Sequence, residues 1–388
     1  MIAVLGASGE VGRHAVAALA TAGVGPLRLG ARDPRAIAVD PAWREVETTA
    51  VDATRPEALA AFCRGARLVL NCAGPSYLLG DRVARAALAA GADHVDVLGD
   101  DPVAEALRAA GQPATDRTVV LSAGTVPGLS GLLPRHLAAA SAAEATAAST
   151  LTVHAGGLER ATTTVAADIL LSLRSGGPDG RPYGQPMARW RLGRREARAL
   201  RAEEETEVPF FPGRVATHPL LTAELERAAT ALGLTEASWY NVFPGAQVRA
   251  LFGTLPTLPV DTEERRAAVV DRVLRASELD LAGRTPFYRL VVALAGPGWR
   301  RTAVVRAADS YRMTGAVAAL TVRAVLAGRV PPGAHFAAAA LDPGEVIAGL
   351  TETGAAGVAV YRTEADEAPD GAGGPAGATA GGFEDGAL

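Results

Sequence analysis

The amino-acid sequence predicts an α/β fold: a Rossmann-type doubly wound parallel sheet joined to a second α+β domain with an antiparallel sheet. Three observations carry that expectation. Residues 1–125 alternate short apolar runs with alanine-rich helical stretches, the pattern of parallel β-α-β units. A glycine loop, Gly6-Ala7-Ser8-Gly9-Glu10-Val11-Gly12, stands between the first apolar run and the first helical stretch. Beyond residue 126 the texture changes, and residues 285–310 read as a β-hairpin, Phe287–Leu294 and Arg301–Ala307 around Gly296-Pro297-Gly298. With 388 residues, 49% of them apolar, the chain exceeds what one core usually holds, so two joined domains are expected.

The elements follow in order. Strand one takes residues 2–5, and a helix from Val11 to Ala22 stops at Gly23. Leu27–Gly30 and Glu45–Val51 are the next strands, the second followed by a helix over Pro56–Arg64. Arg67–Asn71 ends in Cys72-Ala73-Gly74-Pro75, and a helix over Asp81–Ala90 ends at Gly91, the residue type favoured just past a helix end. His94–Leu98 and Thr118–Ser122 complete the first sheet. The expected domains are 1–125 for dinucleotide binding, 126–310 for substrate and dimerisation, 311–350 as helices returning to the first domain, and 364–388 as a disordered acidic tail. Within the second domain, helices are expected over Ser130–Ala139 and Thr163–Arg174, an extended segment over Thr150–His154, and a loop at Gly176–Gly180. Later helices are expected over Met313–Leu326 and Pro343–Leu350. Residues 189–207, arginines followed by glutamates, read as a solvated face or mobile excursion.

Composition narrows the chemistry. There is no lysine, so all 38 basic residues are arginines. A P-loop lysine, a lysine Schiff base and a Tyr-x-x-x-Lys reductase centre are thereby excluded. Net charge is −4, and six acids after Arg362 (Glu364, Asp366, Glu367, Asp370, Glu384, Asp385) account for it: the remaining 36 acids face 38 arginines. That balance argues against a nucleic-acid partner. Two cysteines, Cys63 and Cys72, fit a reducing cytoplasm, and six scattered histidines show no metal-ligand spacing, so no metal is expected. Met1–Leu5 already reads as a strand, so no signal peptide is expected, and no apolar run is long enough to predict a membrane span.

The glycine loop fits a dinucleotide. Gly6 permits the turn off the strand, Gly9 lets backbone N–H groups approach a pyrophosphate at the positive helix end, and Gly12 allows helix–sheet packing. Ser8 can add a hydroxyl, and Glu10 and Val11 present first-turn amides. At the tip of the second strand Arg32 stands where an NAD-binding carboxylate is expected. A guanidinium there suits a 2′-phosphate, so NADP(H) is the expected cofactor, with Arg35 as a second contact and Asp33 one residue late for the ribose. Asp52 reads equally as an adenine-edge contact and as a turn residue. Ala73, Gly74 and Pro75 are small enough for a nicotinamide ring to lie on the backbone.

Asn71-Cys72-Ala73-Gly74-Pro75-Ser76-Tyr77-Leu78-Leu79-Gly80 resembles the nicotinamide-side loop of the saccharopine dehydrogenase (saccharopine reductase) family. His94-Val95-Asp96-Val97-Leu98-Gly99-Asp100 is similar to that family's next strand, and Ala123-Gly124-Thr125-Val126-Pro127-Gly128-Leu129 to its turn into the second domain. The stretches Asp309–Gly315 and Gly328–Gly333 resemble its closing helix and loop. Leu98 stands where the family has Thr, Asp100 where it has Glu, and no arginine motif reproduces a dicarboxylate clamp. The resemblance implies a small-molecule substrate, reduction of a C=N bond and a homodimer; enoyl C=C reduction and a non-catalytic nucleotide sensor are the alternatives. It makes Asp96, Asp100 and Tyr77 the candidate catalytic residues. His94 reads as structural, and Trp239, Tyr240, Asn241 and Arg249 as core or turn residues before pocket residues.

Overall fold

The computed structural model describes residues 1–112, 116–144, 146–172 and 184–364. Its first part builds a parallel sheet: β1 (Ile2–Leu5), α1 (Glu10–Thr21), β2 (Leu27–Ala31), β3 (Val46–Ala50), α2 (Pro56–Cys63), β4 (Leu68–Asn71), α3 (Ser76–Leu79), α4 (Arg82–Ala89), β5 (Asp93–Asp96), α5 (Asp101–Ala109) and β6 (Thr118–Leu121). There follow α6 (Leu129–Ala140), β7 (Thr150–Leu158), α7 (Thr163–Ser172), β8 (Gly184–Pro186), β9 (Arg189–Arg191), β10 (Arg194–Glu196), β11 (Glu203–Glu207) and β12 (Arg214–Thr222). The remainder is α8 (Ala223–Ala231), β13 (Glu236–Phe243), α9 (Ala246–Phe252), α10 (Glu263–Leu281), β14 (Phe287–Gly296), β15 (Trp299–Ala307), α11 (Ser310–Leu326), β16 (Gly333–Phe336), α12 (Ala337–Ala340), α13 (Pro343–Glu352) and β17 (Gly357–Thr363).

The first sheet runs β16-β6-β5-β4-β1-β2-β3, every ladder parallel. Strands β1, β4 and β6 are buried along their whole length, as expected where helices cover both faces. On one face Val16 and Leu19 of α1 join Val317 and Val322 of α11; on the other Leu59 and Phe62 of α2 meet Val83 and Ala87 of α4. Strand order reverses between β1 and β4, where Leu5 pairs with Gly30 on one side and Asn71 on the other. That reversal opens the crevice in which such sheets bind ligands.

The second sheet has ten strands among the described residues and is mixed: β7 and β13 pair in parallel, while its other ladders are antiparallel. The hairpin predicted over 285–310 is β14–β15, longer at its inner end than the sequence suggested because Trp299 pairs with Gly296 across the turn. Residues 189–207 are not an excursion. They form β9, β10 and β11, with the half-buried arginines neutralised: Arg189 by Glu196 of β10 and Glu236 of β13, and Arg195 by Glu226 of α8. Charged side chains have low strand preference, which hid these strands; pairing across the ladder supplies what propensity lacks.

Five further strands escaped the sequence: β8, β12, β13, β16 and β17. β16 adds a seventh parallel strand beside β6, and β17 adds an edge strand beside β15. Four residues after Pro331-Pro332 show too little periodicity to be recognised alone. The Gly176–Gly180 loop and almost all of the predicted acidic tail lie outside the described residues. No helix among the described residues is long and apolar enough to cross a membrane.

α11 fills a place beside α1. Tyr311 is within electrostatic reach of Glu10, and Gly315 lies against His14 and Ala15, so the two helices run in the same direction with their N-termini at the crevice. A Cβ on residue 315 would sit 2.7 Å from Ala15 N and from His14 Cβ. Replacing a helical glycine by alanine ordinarily gains about 1 kcal/mol of helix propensity, but overpacking against a backbone costs about 1–3 kcal/mol. Gly315→Ala should therefore lower the melting temperature, whereas Gly357→Ala, with open space around its Cβ, should leave it unchanged within error. Parallel thermal melts of the two variants check this.

Candidate active site in the crevice between the sheets

The glycine loop is built of contacts that tolerate no side chain. Gly6 turns off β1 with φ +78°, and a Cβ there would lie 2.6 Å from Ala73 N. A Cβ on Gly12 would lie 2.1 Å from Gly6 O. Gly9 forms the N-cap of α1 and leaves it without a side-chain cap, while Glu10 is drawn aside to Arg13. The first-turn amides of a helix have no carbonyl ahead of them, so those of Glu10 and Val11 face the crevice as an anion site. Ser8 and Gly9 are exposed there. The neighbouring N-terminus of α11 is already saturated: Asp309 accepts from Arg312 N at 2.8 Å, and Glu159 accepts from Ser310 N at 2.7 Å and Ser310 Oγ at 2.8 Å. A cradle that a Cβ would fill, beside an uncapped helix start, fits a dinucleotide pyrophosphate.

At the tip of β2, Arg32 is exposed. Asp33 is occupied. Its Oδ1 accepts from Arg35 N and Arg35 Nε, each at 3.0 Å, capping the turn Pro34–Ala36, and these bonds hold its carboxyl below the usual range. Arg35, expected as a second phosphate contact, is thus turned back onto Asp33. Asp52 takes the turn role. Its Oδ1 accepts from Thr54 N at 2.9 Å and Thr54 Oγ1 at 2.7 Å.

The tips of β4 and β5 are tied into one unit. Asn71 Nδ2 donates to Asp96 Oδ2 at 2.8 Å, Leu98 N donates to Asp96 Oδ1 at 3.0 Å, and Ala73 N donates to Asn71 Oδ1 at 3.0 Å. Asp96 is 3% exposed and both its oxygens are engaged, so this candidate acid is a brace for the Ala73–Pro75 backbone. His94 is fully buried; its Nε2 approaches Asp96 Oδ2 to 3.5 Å without hydrogen-bond geometry, and it packs as a structural residue. Burial, reinforced by the Asp96 charge, pushes the Cys72 thiol up, so no thiolate nucleophile forms.

Asp100, the second candidate acid, is committed elsewhere. It accepts from Ser122 Oγ and from Arg227 Nη2, each at 3.3 Å, and Arg227 also grips Asp101. Burial, then the Asp101 charge, pushes Asp100 up, and Arg227 opposes them. Arg227 lies on α8 with its guanidinium 3.8 Å from the Phe336 ring centre, so this cluster joins the two sheets. Trp239, Tyr240 and Arg249 serve the second sheet: Trp239 Nε1 donates to Asn241 Oδ1 at 2.9 Å, Tyr240 stacks on His154, and Arg249 Nη1 donates to Glu204 O at 3.1 Å.

The acid at the crevice is one the sequence reading missed. Asp168 on α7 accepts from Tyr77 N at 3.3 Å through Oδ1, and a Cβ on Gly74 would meet Thr164 Cγ2 at 2.5 Å and Asp168 Oδ2 at 3.3 Å. The second domain therefore sets a carboxyl directly over Gly74–Tyr77. Burial raises that carboxyl to about 7, with backbone bonds from Tyr77 and Ser76 opposing and Asp96 adding to the rise. A lone acid in the apolar run Val165-Ala166-Ala167-Asp168-Ile169-Leu170 was the available signal. Tyr77 itself is half-buried on α3.

Residues 6–159 match the family model described as NAD(P)H-binding. An apo saccharopine dehydrogenase (L-Glu forming) from Saccharomyces cerevisiae aligns over 93% of this chain and 99% of its own, with TM-score 0.65 and 14% sequence identity. The fold is that of saccharopine dehydrogenase. A probable mitochondrial saccharopine dehydrogenase-like oxidoreductase of Arabidopsis thaliana is 31% identical over 121 residues, 27% of each chain. The ceramide reductase of Caulobacter vibrioides is 37% identical over 113 residues, 29% of this chain and 32% of that one. The chain thus aligns with only 27–32% of the length of these curated relatives. In the saccharopine dehydrogenase fold seen here, the NAD(P)-binding loop and the Asp168 carboxyl face one crevice from opposite domains.

The Asp168 environment has a measurable signature. Its carboxyl titrates near 3.8 when unfolded and near 7 when folded, so the folded state binds more protons between those values and stability falls as pH rises through them. Asp168→Asn removes that titration. The variant should gain stability relative to the parent as pH rises from 4 to 7, by about 2–4 kcal/mol, and no further above 7.5. Urea unfolding of both proteins across this range checks it; a difference constant with pH would contradict the assignment.

Proposed function

We propose that the chain is an NADPH-dependent reductase acting on a C=N bond of a small or carrier-tethered metabolite. The supporting observation is a carboxyl held near neutrality, Asp168, beside the small-residue loop Ala73-Gly74-Pro75 at the expected nicotinamide end of the crevice. The two curated relatives, an oxidoreductase and a reductase, agree with redox chemistry.

When bound, the dinucleotide supplies hydride to the substrate carbon. The chain's residues do the rest. Asp168 in its acid form donates a proton to the imine nitrogen, and the resulting carboxylate balances the iminium charge. Reduction of the protonated C=N would leave its former π pair as the amine lone pair, with the proton from Asp168 retained on nitrogen. Tyr77 N orients Asp168 Oδ1, and the Tyr77 side chain borders the substrate. Asp96 acts through Asn71 as a positioning residue, keeping Ala73 N in place so that Ala73, Gly74 and Pro75 present a flat backbone. Asp100 positions α8 through Arg227. Gly6, Ser8, Gly9, Glu10, Val11 and Gly12 hold the pyrophosphate, and exposed Arg32 pairs with the 2′-phosphate.

Two outcomes are expected. Asp168→Asn should lower kcat for an imine at pH 7 by about 10²–10⁴-fold and flatten the pH profile near 7, while leaving a preformed N-alkylated iminium much less affected. Equal loss on both substrates would move the proton donor elsewhere, and turnover of enoyl substrates alone would replace C=N by C=C reduction. Arg32→Asp should shift preference from NADPH toward NADH, read as the ratio of kcat/KM values; an unchanged ratio would refute the 2′-phosphate contact.

A further inference from the structure

We infer that Arg289, Arg306 and Arg312 form a second ligand site, which takes the phosphate or carboxylate group of a small anion in a cavity of about 230 Å³ at the end of the second sheet. The cavity is also lined by Asp309 and by the main chain at Gly354–Gly357. None of its lining residues belongs to the glycine loop, to Ala73–Tyr77 or to α7.

The pairing of two arginines is the unusual feature. Arg289 on β14 and Arg306 on β15 are direct partners in the antiparallel ladder, and like charges directly opposite one another destabilise a sheet. Two other arginines of this sheet, Arg301 on β15 and Arg362 on β17, are neutralised by sharing Glu144. Arg289, Arg306 and Arg312 form no ion pair among the described residues. Arg289 Nε is buried with no hydrogen-bond partner, and its Nη1 reaches only Tyr288 O at 3.2 Å. Burial and then the Arg306 charge disfavour the Arg289 cation.

Aromatic neighbours do not replace an anion. The Arg289 guanidinium lies 5.4 Å from the Phe287 ring centre and that of Arg306 lies 5.8 Å from Phe210, near the outer limit of cation–π attraction. Arg312 Nη2 bonds Thr353 O at 3.1 Å, which leaves donors of its five unspent. Asp309 contributes the lining's one negative charge, and its Oδ1 is occupied by Arg312 N. Three guanidinium groups against one carboxylate leave a surplus of two positive charges around a space large enough for a dianion. An oxyanion there relieves the like-charge pair, and guanidinium forks match both phosphate and carboxylate geometry.

Isothermal titration of the full chain with inorganic phosphate, at constant ionic strength in chloride, tests the site, and malonate in a second arm distinguishes phosphate from carboxylate ligands. Saturable binding of at least one anion is expected, weakened tenfold or more by Arg306→Gln and by Arg312→Gln. In chloride alone Arg306→Gln should melt at or above the parent temperature, because it removes one half of the like-charge pair. If either variant fails to fold, the other carries the comparison. Flat titrations with both anions would overturn the inference. So would binding that persists in the folded variants, which would place the anion at another site such as the glycine loop.

Discussion

Main chain pressed on main chain between Gly6 and Ala73 governs the geometry of the crevice. Strands β1 and β4 are neighbours by ladder pairing, but their tips converge only because residue 6 carries no Cβ. The turn after β1 then aims the α1 amides at the space above β4, and the loop after β4 becomes the floor beneath it. Asn71 reads both sides of this arrangement, bonding Ala73 N with its oxygen and Asp96 with its amide nitrogen. Cofactor loop, floor and brace are consequently one rigid unit, and a change at any of them moves the others.

Four helix starts elsewhere in the molecule, unlike that of α1, are met by an acid from a distant element. Glu159 caps α11, Glu224 on α8 accepts from Gly128 N at 2.7 Å at the head of α6, and Asp280 on α10 accepts from Gln247 N and Val248 N at the head of α9. Asp168 does the same for α3 through Tyr77 N. Each is an acidic side chain delivered from a distant element to orphaned amides. Such long-range caps weld helices to the sheets they cross. α1 receives no such carboxylate, and its exposed start is therefore open to an anion from outside. Asp168 differs from the other three in bordering the Ala73–Pro75 loop, so its cap also sets a titratable group beside the floor of the crevice.

Much of the first sheet was legible because its signals are local. Buried parallel strands read as apolar runs, glycines mark where backbones touch, and Gly23 and Gly91 mark helix ends at positive φ. The glycine loop belongs to that class. The chemistry of the acids was not legible, because it depends on partners far away in sequence. Nothing in His94–Asp100 announces that Asn71 and Leu98 will consume both oxygens of Asp96, or that Arg227 will claim Asp100. Asp168 lies 91 residues from the backbone it meets, a separation at which sequence spacing carries no information. The short strands β9–β11 were missed for the related reason that ladder partners, absent from any local window, stabilise their charged residues.

The seating of α11 on α1 reaches into how the polypeptide is made. A helix that begins at Ser310 and a strand that begins at Gly333 finish a sheet whose first strand is residue 2. While a ribosome is still extending the middle of the molecule, the apolar flank of α1 around Val16 and Leu19 has no cover, and neither does the outer edge of β6. The amino-terminal segment must wait, partly exposed, until residues 310–336 have been made, which makes it a poor candidate for expression as an isolated fragment.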